Sequence, residues 1–179
     1  MRGPRRGRRI SPPQPTEVTM TDAYRNCKVC HAQTTASVLG ALEGEEKALK
    51  LTVHALTVLT CPNGHRQFLR AEAPLELLDH LVEQDEASLP HGEETGLPMF
   101  KHFRCEACGT ELQPKPDHRH SFTLEPGLPN QPGLKIDLTM PVYKCSGCGK
   151  EQLHSLKEVR KLTPAALAHA FQSAEIHSG

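Results

Sequence analysis

Every cysteine of this 179-residue chain falls into one of four short clusters. Cys27-Lys-Val-Cys30 is followed roughly thirty residues on by Cys61-Pro-Asn-Gly-His65. Cys105-Glu-Ala-Cys108 is followed at a similar distance by Cys145-Ser-Gly-Cys148. Seven cysteines paired as disulfides would leave one thiol over, but His65 stands where an eighth cysteine would complete the pattern. Two quartets result, Cys27/Cys30/Cys61/His65 and Cys105/Cys108/Cys145/Cys148. Cys₃His and Cys₄ are the ligand sets of closed structural zinc, so two structural Zn2+ per chain are expected.

A Cys-x-x-Cys pair at a tight turn brings two sulfurs onto one ion, about 2.3 Å from zinc. Glycine after the second cysteine allows a positive φ there and frees backbone N–H groups for the thiolates. Gly109 and Gly149 hold that position in the second quartet, whereas Cys30 is followed by His31, a less regular knuckle. In the fourth cluster Pro62 presets the turn, Gly64 relaxes it, and the extra residue before His65 suits a longer imidazole ligand.

Aromatic residues make up only 4% of the chain and tryptophan is absent, so a large self-sufficient core is not expected. Small domains short of apolar surface commonly need metals or disulfides to stay folded. No long apolar run and no secretory-signal pattern is visible, which predicts no membrane-spanning helix and a cytoplasmic, reducing setting. There, clustered cysteines bind metal more readily than they form disulfides. The formal charge is zero, but its distribution is uneven. Residues 71–100 carry eight acids and no Lys or Arg, while residues 1–19 hold five arginines against Glu17. With metal-bound thiolates contributing about −2 and −1 at the two sites, the folded body is acidic. That excludes a surface given over wholly to phosphate binding.

Residues 1–19, rich in Arg, Pro and Gly, read as a disordered basic arm. The abrupt change at Met20 leaves three readings: a nucleic-acid arm, a transit peptide, or a segment not translated, with Met20 the start. The remainder reads as an internal duplication: residues 20–84 form one ribbon plus helix, 85–98 an acidic linker, and 99–179 a second ribbon plus C-terminal helix. Leu49–Thr60 is expected as one strand, paired with Thr34–Leu39 across the turn Gly40–Lys47. Leu134–Tyr143, with Leu134, Ile136, Leu138, Met140 and Val142 at period two, should pair with Ser121–Leu124 across the loop Glu125–Gly133. Pro74 suits a helix start, followed by an apolar stripe of Leu75, Leu78, Leu81 and Val82. Thr163-Pro164 reads as a second helix start, with a capping box at Ser155–Glu158. The expected fold is a small, metal-stabilised β+α chain of two hairpin units, each followed by a short helix.

In the cluster spacing, and over residues 24–70 and 102–153, the chain resembles the zinc-ribbon superfamily. The resemblance implies tandem ribbons with structural zinc, and it names no activity. Rubredoxin-like iron could use only the Cys₄ quartet. A thioredoxin-like redox pair would need a βαβ context that these strand-rich surroundings do not offer.

Four candidate ligands per site leave no open position of the kind a catalytic zinc keeps. The deaminase His-x-Glu/Pro-Cys-x-x-Cys pattern, phosphate-cradling glycine loops and Gly-x-Ser-x-Gly are absent. No catalytic residue is expected, and the chain reads as a non-enzyme. His118 and His120 share a strand face that could make a weak accessory metal contact, but they read more simply, like His102, as exposed polar residues. His31 and His54 are read as neighbours of the first site rather than ligands. Arg25, Lys28, Arg66, Arg70, Lys101, Arg104, Lys144 and Lys150 cluster around the knuckles, with Phe68, Phe103 and Tyr143 available to stack on a base. The simpler role for them is solubility and cover over the metal sites. Docking to a protein partner, steered by the acidic helix, is therefore the first functional expectation and nucleic-acid binding the second.

Overall fold

The computed structural model describes residues 25–88, 90–97 and 100–177; the basic arm 1–19 and Met20 lie outside them. It is a small mixed β+α fold with two helices and several sheets. The first half supplies β1 (Thr35–Val38), β2 (Leu42–Glu46), β3 (Leu49–His54), β4 (Thr57–Thr60), β5 (Arg66–Phe68) and α1 (Ala73–Ser88). The second supplies β6 (Glu93–Leu97), β7 (Phe100–Arg104), β8 (His118–Leu124), β9 (Lys135–Lys144), β10 (Glu151–Gln152), α2 (Leu156–Ser173) and β11 (Ile176–His177).

The single strand expected over Leu49–Thr60 is two strands in two different sheets. Ala55 takes φ 56° between them, a left-handed conformation costing a non-glycine residue about 1–2 kcal/mol. That bend sends β3 into a sheet with β2 and β9, and β4 into one with β1 and β5. Part of the expected turn Gly40–Lys47 is itself strand, since β2 pairs with β3 from Leu42↔Val53 to Glu46↔Leu49. Strand β9 keeps the period-two pattern: Ile136, Leu138, Met140 and Val142 are buried, and β8 pairs along it as expected.

The halves do not fold as two separate ribbon-plus-helix units. β3 pairs antiparallel with β9 (Lys50↔Thr139 to His54↔Lys135), so a strand from each half lies at the centre of one sheet. Each half also closes the other's last strand. β11, following α2, pairs parallel with β5 of the first half. His91, following α1, bridges in parallel to Leu153 beside β10, and the backbone bonds Gly92 N–H to Leu153 O and Leu153 N–H to Pro90 O hold it there. Residues 85–98, expected as a linker, thus contain the end of α1, this docked segment and β6, which pairs with β7. Gln131, in the loop before β9, reaches across to Thr57: its amide accepts from Thr57 N–H (2.8 Å) and donates to Thr57 O (2.9 Å), both buried.

Helix α2 lies over β2 and β3 and begins earlier than Thr163-Pro164. Ser155 is its N-cap, accepting from Glu158 N–H, and Pro164 sits inside the helix. An internal proline costs roughly 3 kcal/mol. Here the buried stripe Val159, Leu162, Ala166, Leu167, Ala170, Phe171 runs through it and keeps both parts on the sheet. Thr163, rather than capping, donates its hydroxyl to Val159 O. On α1 the buried positions are Ala73, Leu77 and Leu81, while Leu75 of the expected stripe is exposed. α1 and α2 pack together, and Phe68 meets Phe171 edge-on at 4.9 Å. One core holds residues from both halves, with a small satellite of Cys105, Leu112, Cys145 and Phe103.

The closest approach in this core is Gly44 of β2 beneath α2. A Cβ at Gly44 would lie 1.9 Å from the Ala166 carbonyl oxygen. Backbone cannot yield as a side chain tip does, so Gly44→Ala should lower the urea unfolding free energy by about 3 kcal/mol or more. A loss under ~0.5 kcal/mol, within the range of an ordinary surface substitution, would mean that the helix does not sit on the sheet this way.

Candidate metal centres

The fold brings both predicted quartets together. In Cys27/Cys30/Cys61/His65, and again in Cys105/Cys108/Cys145/Cys148, one ligand atom from each residue lies within 4.8 Å of every other. In the first group Sγ of Cys27 and of Cys61 stand 3.7 and 3.5 Å from His65 Nδ1, and Cys30 and Cys61 sulfurs are 3.6 Å apart. In the second, Cys105–Cys148 and Cys108–Cys145 are 3.6 and 3.5 Å apart. A disulfide needs about 2.05 Å, whereas a tetrahedron with 2.3 Å arms has edges of about 3.8 Å. The cysteines are free thiols at separations suited to one tetrahedral ion per group.

Three of the four knuckles share one backbone scheme. At Cys27, Cys105 and Cys145, the cysteine N–H donates to the carbonyl five residues on (Ala32, Thr110, Lys150), and its carbonyl accepts from the N–H four residues on (His31, Gly109, Gly149). Those last residues have φ of 60°, 71° and 75°. His31 therefore does what glycine does elsewhere, and the knuckle that looked irregular in sequence is regular in geometry. The fourth is one residue tighter: Cys61 N–H donates to His65 O, and the positive φ falls on Gly64 (83°). The ligand then follows the turn instead of preceding it, and an imidazole reaches back where a cysteine would not.

Two glutamines complete the sites and had not been picked out from sequence. Gln67 of β5 and Gln152 of β10 are both buried. Each accepts, at 3.3 Å, the N–H of the residue after the first ligand, Lys28 in one site and Glu106 in the other. Their strands match as well, Gln67 opposite Leu59 and Gln152 opposite Tyr143, each two residues before the second knuckle's cysteine. Isolated bridges Asn26↔Gln33 and Arg104↔Glu111 flank the first knuckles alike. The readable signal was the pair Arg66-Gln67-Phe68 and Glu151-Gln152-Leu153, a charge, a glutamine and an apolar residue after each second knuckle.

Gln152 tests whether the residues fit a metal. Its buried amide nitrogen has no hydrogen-bond partner, which costs about 1–3 kcal/mol if nothing accepts from it. Cys105 lies beside it: the Gln152 side chain is the main cause holding that thiol down, to about 6. A metal-bound thiolate is the acceptor this donor needs, so the site fits a bound cation. Cys30 is likewise held down to about 6, chiefly by the Ala32 backbone N–H and then by Asn63, and Cys108 is lowered by Thr110. Burial raises Cys61. Cys148 is pushed up to about 11, against a bond from the Lys150 backbone, by burial and its neighbouring sulfurs. Cys30 and Cys105, the lowered thiols, would be the first to offer a thiolate to a cation held by these residues.

The sites differ in cover. Cys27 and Cys61 are buried with Cys30 and His65 half-buried, whereas Cys108 and Cys148 are exposed beside buried Cys105 and Cys145. The extra cover comes from the second half: β11 lies along β5, His177 stands edge-on to His65 at 6.1 Å, and Arg66 donates to Ala174 O.

The other histidines join neither group. His54 pairs with Asp137 at 2.8 Å, His102 with Glu111, and His118 approaches Glu151. His120 lies near Phe122. The aromatics weighed for base stacking are engaged within the chain: Phe103 and Tyr143 sandwich His154 at interplanar angles of 12° and 11°, and Phe68 packs on Phe171. Of the basic residues around the knuckles, Arg66 caps α2, Arg70 pairs with Glu76 and Lys101 with Glu94. No helix among the described residues is long and apolar enough to cross a membrane. The chain matches no protein-family model, no curated protein and no solved structure.

The shared knuckle scheme makes a signed prediction. His31→Gly should raise the unfolding free energy of the metal-loaded protein by about 0.5 kcal/mol, while Gly109→Ala and Gly149→Ala lower it by about 1 kcal/mol. A loss on His31→Gly as large as that on Gly109→Ala would mean the knuckles are not equivalent.

Proposed function

We propose that this chain is a non-enzymatic interaction protein of the cytoplasm, whose two zinc ions hold ribbon-like units in place for docking to a protein partner. The observation that carries this reading is the closure of both metal groups. Four protein ligands surround each position, leaving none for water or substrate, and closed four-ligand shells are scaffolding. In site one Cys27, Cys30, Cys61 and His65 would hold the ion; in site two Cys105, Cys108, Cys145 and Cys148 would. A bound ion would offset part of the thiolate charge and staple each pair of knuckles together.

Structural zinc in small sites binds with an apparent free energy of about 10–16 kcal/mol near neutral pH. That is comparable to the whole stability of a domain, about 5–15 kcal/mol, so the ions decide whether the knuckles stay folded. The repeated hydrogen-bond scheme, with its paired glutamines, supports the tandem ribbon reading. Zinc is preferred over iron because the first site contains an imidazole, foreign to the rubredoxin Cys₄ set. Protein docking is preferred over nucleic acid because Phe68, Phe103 and Tyr143 are already stacked or buried, which removes the platform that single-stranded binding uses.

Purified full-length protein should contain two zinc per chain by elemental analysis and no visible iron absorption. Chelation should abolish the cooperative thermal transition, and re-addition of Zn2+ should restore it. One zinc or none, or a chelated protein that melts unchanged, would sink the scaffold reading. Acidification should release the metal, because protons compete for the thiolates as pH falls. For the docking arm, crosslinking in extract of the source cells should trap a protein at a stoichiometric ratio, while salt-sensitive retention on nucleic acid alone would favour the second reading.

A further inference from the structure

A shallow apolar groove of about 250 Å3 runs between the two helices. Leu75 and Leu78 of α1 face Leu167 and Phe171 of α2 across it, with Phe68 and Ile176 from strands of the two halves. The fold does not need Leu75 for its core: Leu77 and Leu81 make the buried contact, and Leu75 is 65% exposed. The α1 side of the groove carries acid just outside its lining. Glu72 stands immediately ahead of α1, and Glu76 and Asp79 follow on it at helical spacing beside Leu75 and Leu78. Arg70 pairs with Glu76 and approaches Glu72 at 4.0 Å, but residues 71–100 contain eight acids and no Lys or Arg.

We propose that this groove receives a basic amphipathic helix of the partner protein, an inference that rests on the docking reading above. Apolar side chains spaced i, i+3 or i+4 would seat against Leu75, Leu78, Leu167 and Phe171, the usual helix-in-groove mode. Lysines or arginines on its flank would face Glu72 and Asp79, which steers encounter and rejects acidic helices. Charge also selects against a nucleic acid, which would meet carboxylates.

The test uses the zinc-loaded full chain and two fluorescein-labelled amphipathic peptides with identical leucine spacing, one with Lys and one with Glu at the polar positions. The Lys peptide should bind at least about tenfold more tightly than the Glu peptide and weaken as salt rises. Leu75→Glu should reduce its affinity about tenfold, and Asp79→Lys several-fold, with circular dichroism unchanged because both positions are exposed. Equal binding of the Lys peptide by the parent and by Leu75→Glu would overturn the proposal. So would a dimer in sedimentation that Leu75→Glu dissociates, which would make a second copy the occupant. Crosslinking separates the two levels. A partner trapped equally by the parent and by Leu75→Glu overturns the groove and leaves docking intact. No partner trapped by either overturns the docking reading, and this inference with it.

Discussion

The antiparallel pairing of β3 with β9 is the constraint on which the rest of the structure depends. It runs from Lys50↔Thr139 to His54↔Lys135 and places one strand from each half at the centre of a common sheet. Around it each half lends the other its last segment: β11 to β5, and residues 90–92 to the strand at Leu153. The arrangement is reciprocal. A half taken alone would expose the edge of its final strand and one side of its helix, with few aromatics to make up the lost apolar burial. α2 covers β2 and β3 of the first half, pressed down to the backbone of Gly44. The two halves make one body around a shared core.

The metal groups tie together segments that lie outside the main core cluster. Each joins an N-terminal knuckle, flanked by an isolated bridge and in the second site preceded by β7, to a hairpin rooted in the sheets. The buried glutamines tie the same two parts from the other side, which is why a donor is left facing sulfur at Gln152. Cover differs between the groups because the exchange of segments is not quite symmetric. β11 and His177 lie over the first, while the outer cysteines of the second face solvent. The proposed docking groove lies where α1 and α2 meet, so any partner there would contact both halves at once.

The metal quartets were legible in the sequence because ligand spacing at a tight turn is a local property, set by a few covalent links. The period-two pattern of β9 and the cap at Ser155 were legible for the same reason. What escaped was decided at longer range. Leu51, Val53, Leu56 and Val58 run apolar straight through the bend at Ala55, with no glycine to mark a change of sheet. Thr163-Pro164 imitates a helix start, and only burial on both sides of Pro164 keeps that helix continuous. On α1 the predicted stripe holds at Leu81 and partly at Leu78, but Leu75 is apolar and exposed and the buried face runs through Leu77. Strand exchange leaves no pattern at all, since pairings two residues long or shorter carry no periodicity. The glutamines were hidden by the tighter fourth turn: Gln67 lies six residues after Cys61, but Gln152 lies seven after Cys145.

The claim that both metal groups belong to one cooperative body is tested most directly by removing a ligand from one and observing the other. In a Cys148→Ser variant, hydrogen exchange can be followed at amides of the first half, in β4, β5 and the Cys27 knuckle. Interlocked halves predict that protection there falls together with that of β9 and β10, in a single transition, and that zinc at the first site exchanges faster with a chelator. Unchanged protection and unchanged zinc exchange in the first half, with only the second half opened, would contradict the account.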